Sequence, residues 1–433
     1  MTENSPAIRP SLTFRSGGWV IALAGVLVLL ILAWAFAGIL MGHRPKGDGQ
    51  SVDTYGFDLS NLRTNGGAFV ASGNPRDFFQ SLDQPQVLPG HEMLAYNAKL
   101  RSKYVVTADR VIGVEINGKS RAYPLDVMNV HEVVNDELAG VPIAVTFSPL
   151  CDSAIVFDRR VNGKPLQFGV SGLLLDSNLV MYDKQADVVT HISLDSQDKK
   201  PATQVSMNAD QSPLVSAAPA SSLWSQMAGM AIAGPAGGTT LAQIPNVNVC
   251  TWKHWLATHP TTEVILPDAQ DEKRMKKISY SRYLLSSRLE FPIGRKATTN
   301  TLINPSSDKE SSDAANHSAQ SQTNSRLQIN AQMPTNMPNE MPAKMPVIAI
   351  TAGGETRVIT LREAADRGAD APWNFVVGGV PIVVVSQKDP ASVLVGSSDA
   401  TPIQVTPCLW FVWQAFHAPA APDQVLMPSH SVK

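Results

Sequence analysis

A short pattern occurs twice in this chain, and any acceptable fold must house it twice. Cys250, Trp252, Trp255, Ala257 and His259 recur in register as Cys408, Trp410, Trp413, Ala415 and His417, at an offset of 158. Two further matches lie upstream. Residues 111–125 (VIGVEINGKSRAYPL) correspond to 347–361 (VIAITAGGETRVITL) at an offset of 236, and 140–146 (GVPIAVT) to 379–385 (GVPIVVV) at an offset of 239. Self-similarity of this kind points to one supersecondary unit used twice. The offset of 158 is the smaller because the second copy nearly lacks a counterpart of residues 156–235. The expected fold class is α+β, mainly β, with an internal duplication of a β-rich unit.

The element signals inside the unit are local. The β-branched and aromatic runs VPIAVTF (141–147) and AIVF (154–157) read as buried strands. Between them Pro149 keeps residues 148–153 out of the ladder as a tight connection. Asn117-Gly118 predicts a two-residue hairpin turn, with Gly353-Gly354 in the same place of the second copy and Asn162-Gly163 in another hairpin. Asn135-Asp136 reads as a turn before VPIAVTF, which would set His131 and Cys151 on neighbouring segments of one sheet. In CTWKHWLATH (250–259), Trp252, Trp255, Leu256 and His259 follow a helical period on one face, and TEVIL (262–266) reads as a strand. His259 and His417 occur in both copies and read as packing residues.

The stretch 131–158 (HEVVNDELAGVPIAVTFSPLCDSAIVFD) sets His131, the carboxylates Glu132 and Asp136, and Cys151 among predicted strands. The candidate ligand-binding residues are His131, Glu132, Asp136 and Cys151. His131 and Cys151 are the candidate metal ligands, since imidazole and thiolate suit a transition metal. A Cys beside a His is also a common activated thiol. The plainer alternative is a small buried Cys and a His that satisfies backbone groups at a strand end. At an offset of 239 the second copy has Asp370, Ala371 and Pro390 where the first has His131, Glu132 and Cys151. A set kept in one copy only argues for a role beyond the frame.

Seven pieces of the first half carry a resemblance: residues 111–125, HEVVND (131–136), GVPIAVTFSPLC (140–151), SAIVFDR (153–159), FGVSGLL (168–174), SNLVMYD (177–183) and LWSQMAGMAIAGP (223–235). With YSRYLLSSRLEFPI (280–293) and the second copy, the chain resembles an uncharacterised, mostly bacterial family, the domain of unknown function thirty-one seventy-nine, over most of residues 80–430. The resemblance implies a Cys-Pro-Leu-Cys pair where this chain has Ser148-Pro149-Leu150-Cys151. Ser148 thereby removes half of a CxxC, and with it the basis for a dithiol redox or two-thiolate metal role.

The remaining layout follows from composition along the chain. Residues 19–41 (WVIALAGVLVLLILAWAFAGILM) hold 23 residues without a charge, enough to cross a bilayer at about 20 residues per span. The expectation is a cytoplasmic tail at 1–16, an uncleaved transmembrane helix at 17–41, a tether at 42–90 and a first β-rich unit at 91–296. The Ser- and Ala-rich stretch about 185–222 reads as a loop inserted in that unit. A disordered linker follows at 297–346, then a second, shorter unit at 347–428. Met333, Met337, Met341 and Met345, each followed by Pro, offer soft sulfur for Cu(I), or simply space the chain. A net charge of −2 gives no footing for nucleic acid. With three Cys there is no disulfide framework, though Cys250 and Cys408 hold equivalent places and are candidates to meet.

The functional expectation is a single-pass protein of the bacterial inner membrane, its main body extracytoplasmic, that binds a metal or small ligand through the first unit. The alternatives are a thiol-dependent enzyme using Cys151 and His131, and a non-catalytic module that recognises an unidentified envelope protein.

Overall fold

In the computed structural model the structure describes residues 18–40, 46–184, 221–267, 269–294, 330–331 and 341–417. The chain divides into a unit at Met1–Lys46 and a unit at Gly47–Lys433. The first contains α1 (Gly18–Leu40), 23 residues without a charge. Side chains towards both of its ends lie outside the described set. Within that set no helix is long and apolar enough to cross a membrane, so anchoring rests on the sequence.

The second unit is built from hairpins, and their turns follow the residues that tolerate positive φ. β1 (Arg110–Ile116) and β2 (Lys119–Pro124) pair antiparallel across Asn117 and Gly118, at φ 51° and 73°, the signature of a type I′ turn. Helix α2 (Leu125–His131) follows. Next come β3 (Val133–Leu138), β4 (Val141–Ser148) and β5 (Ser153–Asp158), three antiparallel neighbours. The reversal between β3 and β4 falls at Ala139-Gly140, with φ 51° and 77°. It does not fall at Asn135-Asp136, which are buried inside β3. Those polar side chains have distant partners, so they did not need the water that a turn supplies. Asn162-Gly163 does turn a hairpin, at φ 52° and 76°.

The long apolar strands β6 (Phe168–Leu175) and β7 (Asn178–Asp183) form a further sheet with Leu223–Ser225 and Met230–Ala233. β8 (Asn248–Thr251) then returns to lie beside β1. Cys250 therefore belongs to a strand, and the helix α3 begins after it (Trp252–Thr258), where Thr251 Oγ1 accepts from the His254 amide. Two short helices, α4 (Ala269–Met275) and α5 (Ser281–Leu285), follow the strand Glu263–Ile265.

The last part restates this order: β9 (Pro346–Ala352), β10 (Glu355–Thr360), α6 (Leu361–Arg367), β11 (Trp373–Val377), β12 (Val380–Lys388), β13 (Ala391–Ser397), β14 (Gln404–Leu409) and α7 (Trp410–His417). Registers coincide as well as orders. Val111 faces Cys250 on one side and Pro124 on the other; Val347 faces Cys408 and Thr360. Val145 lies between Val134 and Val156, and Val384 between Trp373 and Val395. Each closing helix stacks its His on its second Trp, with ring centroids 3.7 Å apart for Trp255–His259 and 3.6 Å for Trp413–His417. The packing role expected of both His residues fits these stacks. One detail of the sequence alignment changes. The α2/α6 pair keeps the offset of 236, so the position of His131 is that of Arg367, and the three added residues follow the helix.

The two parts are interlocked. In β8, the Asn248 side chain exchanges hydrogen bonds with the Val395 backbone at 2.8 and 3.1 Å, and the Thr251 amide donates to Ser392 Oγ at 2.9 Å. In return the Leu409 amide of β14 donates to the Cys151 carbonyl at 2.8 Å. Helix α7 goes deeper. Trp410, Phe411, Val412 and Trp413 share one core with Val133, Cys151, Phe168 and Trp224 of the first part. That enclosure explains why α7 is buried nearly all round while α3 buries one face.

Two boundary expectations change. Residues 47–90 are no tether. Tyr55 is fully buried and donates to the Asn74 carbonyl at 2.6 Å, Phe69–Ala71 pairs with β6, and Leu82–Asp83 pairs with β3. The stretch expected as linker ends sooner, since Met341 is buried in the shared core and Asn330–Ala331 pairs with β10. The expected loop at 185–222, up to residue 220, and the Met-Pro steps at Met333 and Met337 lie outside the described residues.

Candidate functional site

The expected site residues sit close in sequence but serve separate networks. His131 ends α2 and is buried; its Nδ1 lies 2.6 Å from the Gln80 carbonyl oxygen. Its Nε2 lies 3.1 Å from Asp271 Oδ2 of α4. That contact is close but poorly aligned as a hydrogen bond, because Nε2 has no partner of acceptable angle. Asp136 accepts from Arg121 Nη1 at 2.6 Å and from Tyr123 Oη at 2.7 Å, and Arg121 also reaches Glu263 at 2.6 Å. This buried ion cluster ties β2, β3 and the Glu263–Ile265 strand together.

Cys151 is fully buried in the β4–β5 turn, with its Sγ 3.3 Å from the Ser177 carbonyl oxygen. Burial pushes its thiol up to about 12, against the opposing pull of Asn178 and Ser148. A thiol so placed is a poor nucleophile at neutral pH. Beside it runs a buried polar network that the sequence reading missed, in which Gln226 bonds to Ser153, Thr146 and Asn178. Among the described residues no three His, Cys, Asp or Glu side chains stand close enough to hold a metal. The pairing of His131 with Cys151, as metal ligands or as a catalytic dyad, is thus not formed. One residue is committed to Gln80 and Asp271, the other to a strand turn.

Glu132 is different. It caps α2 with its amide donating to the Met128 carbonyl at 2.8 Å, while its own carbonyl accepts from the Phe147 amide at 2.8 Å. Between these two anchors its backbone is held at φ 58° and ψ −31°, on the positive-φ side that a non-glycine residue adopts at a cost of roughly 1–2 kcal/mol. Strain of this kind persists only where the surroundings overdetermine it. The side chain lines a cavity of about 120 Å³. Among the described residues its carboxyl has no hydrogen-bond partner, and burial alone pushes it up to about 8. By surface it is partly buried, and it is one of the residues lining the cavity.

The cavity exists because β6 is irregular. The β6–β7 register shifts between Val170 and Leu173, a bulge of the sort that re-aims strands near functional sites. Gly172 sits in it at φ 78°, where a Cβ would come within 2.7 Å of the Tyr55 ring and 2.8 Å of the Asn74 carbonyl oxygen. No larger residue fits there. The Ser72 amide donates to the Gly172 carbonyl at 2.9 Å and the Asp77 amide to the Val170 carbonyl at 3.0 Å, which brings residues 72–79 against the bulge. The fourth wall is the segment 280–291. Ser177 Oγ donates to the Phe291 carbonyl at 2.9 Å, and Asp176 Oδ1 accepts from the Gly294 amide at 2.6 Å.

Of the residues lining the cavity only Glu132 was foreseen; Phe78, Phe79, Tyr280 and Glu290 are among those that were not. Burial raises the Tyr280 hydroxyl above its usual range, and the neighbouring carboxyls of Glu132 and Glu290 push it further. A carboxyl near 8 beside a phenol is able to give or take a proton at neutral pH, the property required of a general acid or base. A second cavity, of about 140 Å³, lies between the two parts and is lined by both Cys250 and Cys408. Both are free and buried, so the pairing considered for them is not made.

Fold and site together define a mainly β protein with a carboxyl-bearing cavity in its first part. The family model described as "Protein of unknown function (DUF3179)" matches residues 80–194 and 218–420, and the chain belongs to that family. Neither the curated proteins nor the solved structures contain a match.

Proposed function

We propose that this chain is a single-pass protein of the bacterial inner membrane whose extracytoplasmic body binds a small molecule in the Glu132 cavity. One observation carries the reading: a carboxyl on a strained backbone, with no hydrogen-bond partner among the described residues, lines an open volume while every other candidate side chain is spent on the frame. A carboxyl left unpaired in this way is costly to fold around, and a ligand that pairs with it recovers that cost. The residues at 17–41 supply the anchor through their apolar length. A single N-terminal span ahead of a large body most often leaves that body outside the cytoplasm.

The duplication belongs to the same reading. One ancestral unit gave both halves, as their shared order and register suggest. The second half then served as frame, contributing α7 to the common core rather than a site of its own. The test is to purify the full chain gently, denature it, and identify released small molecules by mass spectrometry. Wild type should release a compound that Glu132→Ala does not. Equal release from both, or none from either alongside no response to a small-molecule panel, would end the reading. Membrane fractionation of the full chain and of a chain lacking residues 1–42 tests the anchor, with only the former expected in the membrane pellet.

A further inference from the structure

We infer that the cavity's ligand is a small organic cation, an alkylammonium of about four to six heavy atoms, seated on Glu132 and drawn in past Glu290. The inference rests on the cavity reading above and adds the charge and size of the occupant. Size follows from volume: an apolar cavity near 150 Å³ holds benzene, so about 120 Å³ holds something slightly smaller. Charge follows from the lining. Among the described residues its ionisable side chains are Glu132, Glu290 and Tyr280, and no Lys, Arg or His lines it. Phe78, Phe79 and Phe291 add ring faces and edges, surfaces that suit an alkyl chain and a cationic head alike. Phe78 and Glu290 are exposed and mark the mouth, where a carboxylate raises the local concentration of cations.

Lys344, the cation that acts on Glu290, is spent elsewhere. Lys344 has its amine 2.6 Å from the Tyr283 carbonyl oxygen and 3.2 Å from Ser286 Oγ, over the Tyr283 ring. It acts on Glu290 and stays outside the lining. An anion would meet the carboxyls of Glu132 and Glu290 with no cationic side chain among the described lining residues, Lys344 standing behind Glu290. A neutral guest would leave Glu132 as it is, protonated and unpaired by any group of opposite sign.

The chemistry balances as an exchange of one proton. The alkylammonium enters charged, Glu132 gives its carboxyl proton to solvent, and an ammonium–carboxylate pair remains. A carboxyl near 8 is about nine-tenths protonated at pH 7 and about one-tenth at pH 9. Binding should therefore release about 0.9 proton at pH 7 and about 0.1 at pH 9. The titratable groups around Glu132 are Tyr280 and Glu290 across the cavity, Tyr283, Cys151 and Lys344 behind them, and the adjoining His131–Asp271 pair. Comparison with Glu132→Gln separates its proton from theirs.

The experiment titrates the full chain in neutral detergent at low salt with n-butylammonium, butyrate and 1-butanol, by calorimetry in two buffers of different ionisation heat. Expected are binding of butylammonium alone, the proton release above, a loss of affinity of at least tenfold in Glu132→Gln, and a several-fold loss in the exposed-site variant Glu290→Gln. Thermal melts check that both variants fold. Binding of butyrate or butanol instead, abolished by Glu132→Ala, would overturn the cation and keep the cavity. Butylammonium binding that ignores both substitutions, or no binding by any of the three probes, would overturn the inference; in the second case the release test on purified chain decides whether the cavity reading survives.

Discussion

Substituting Glu132 by Gln should change how stability depends on pH, and the sign is fixed by the direction of the shift. Burial raises the folded-state carboxyl from 4.5 to about 8. Between those values the folded chain keeps a proton that the unfolded chain has released, so stability falls as pH rises through the window and levels off above it. At about 1.4 kcal/mol per pH unit, the full window is worth up to about 5 kcal/mol. Solvent reaching the cavity discounts this to roughly 2–4 kcal/mol. With an unfolding entropy of ~2.1 cal/mol/K per residue over roughly 300 ordered residues, that is a fall of roughly 3–6 °C in melting midpoint. Gln carries no ionisable proton and keeps the shape. Melts of the full chain at half-unit steps from pH 4.5 to 9 should show wild type sinking relative to Glu132→Gln, with the variant the more stable at pH 8. Curves that run parallel would mean that Glu132 ionises as a surface carboxyl does, and the cavity argument would lose its centre.

Other substitutions separate frame from site. His131→Ala abandons the Gln80 and Asp271 contacts and should cost about 1–3 kcal/mol; an unchanged midpoint would return His131 to the list of functional candidates. Arg121→Ala strips a buried Asp136 of its counter-charge and should cost about 3–5 kcal/mol, with soluble yield and melting as the measure. The three cysteines are buried, and burial holds Cys151 and Cys250 near 12. A thiol reagent at pH 8 should therefore count close to none in the native chain and three after unfolding. Rapid labelling of Cys151 would reopen thiol chemistry.

Much of the frame was legible because its signals are local. Asn117-Gly118 needed only its own φ preferences to make a turn, and VPIAVTF only its branched side chains to make a strand. The coinciding registers at Val111 and Val347 fall in stretches whose sequences match at an offset of 236. Asn135 and Asp136 misled for a physical reason: polar residues in a strand are tolerable only with partners, and theirs come from Asp83, Phe168, Arg121 and Tyr123. No window around residue 135 contains that information. The same limit separated His131 from Cys151, since nearness along the chain did not survive a helix end and a strand turn. Glu132 was among the candidates, but the cavity it lines is completed by residues 72–79 and 280–291. Tyr280 and Glu290 lay in a stretch that carried the family resemblance, though nothing in their own spacing marked them.

The interlocking of the two parts sets a schedule for the chain's birth. The strands around Cys151 are made early, yet Leu409 and the helix that fills their core are made last. At ~5–20 residues per second, synthesis keeps Trp224 and Phe168 waiting for α7 for roughly 10–50 s. During that interval an apolar face stands open, and open faces of this kind recruit chaperones or neighbours. A stop codon just before Trp410 would leave every residue of the first part intact and still deny it a finished interior. Loss of a distal few dozen residues should thus register as degradation of the whole body, rather than as a shortened but working protein.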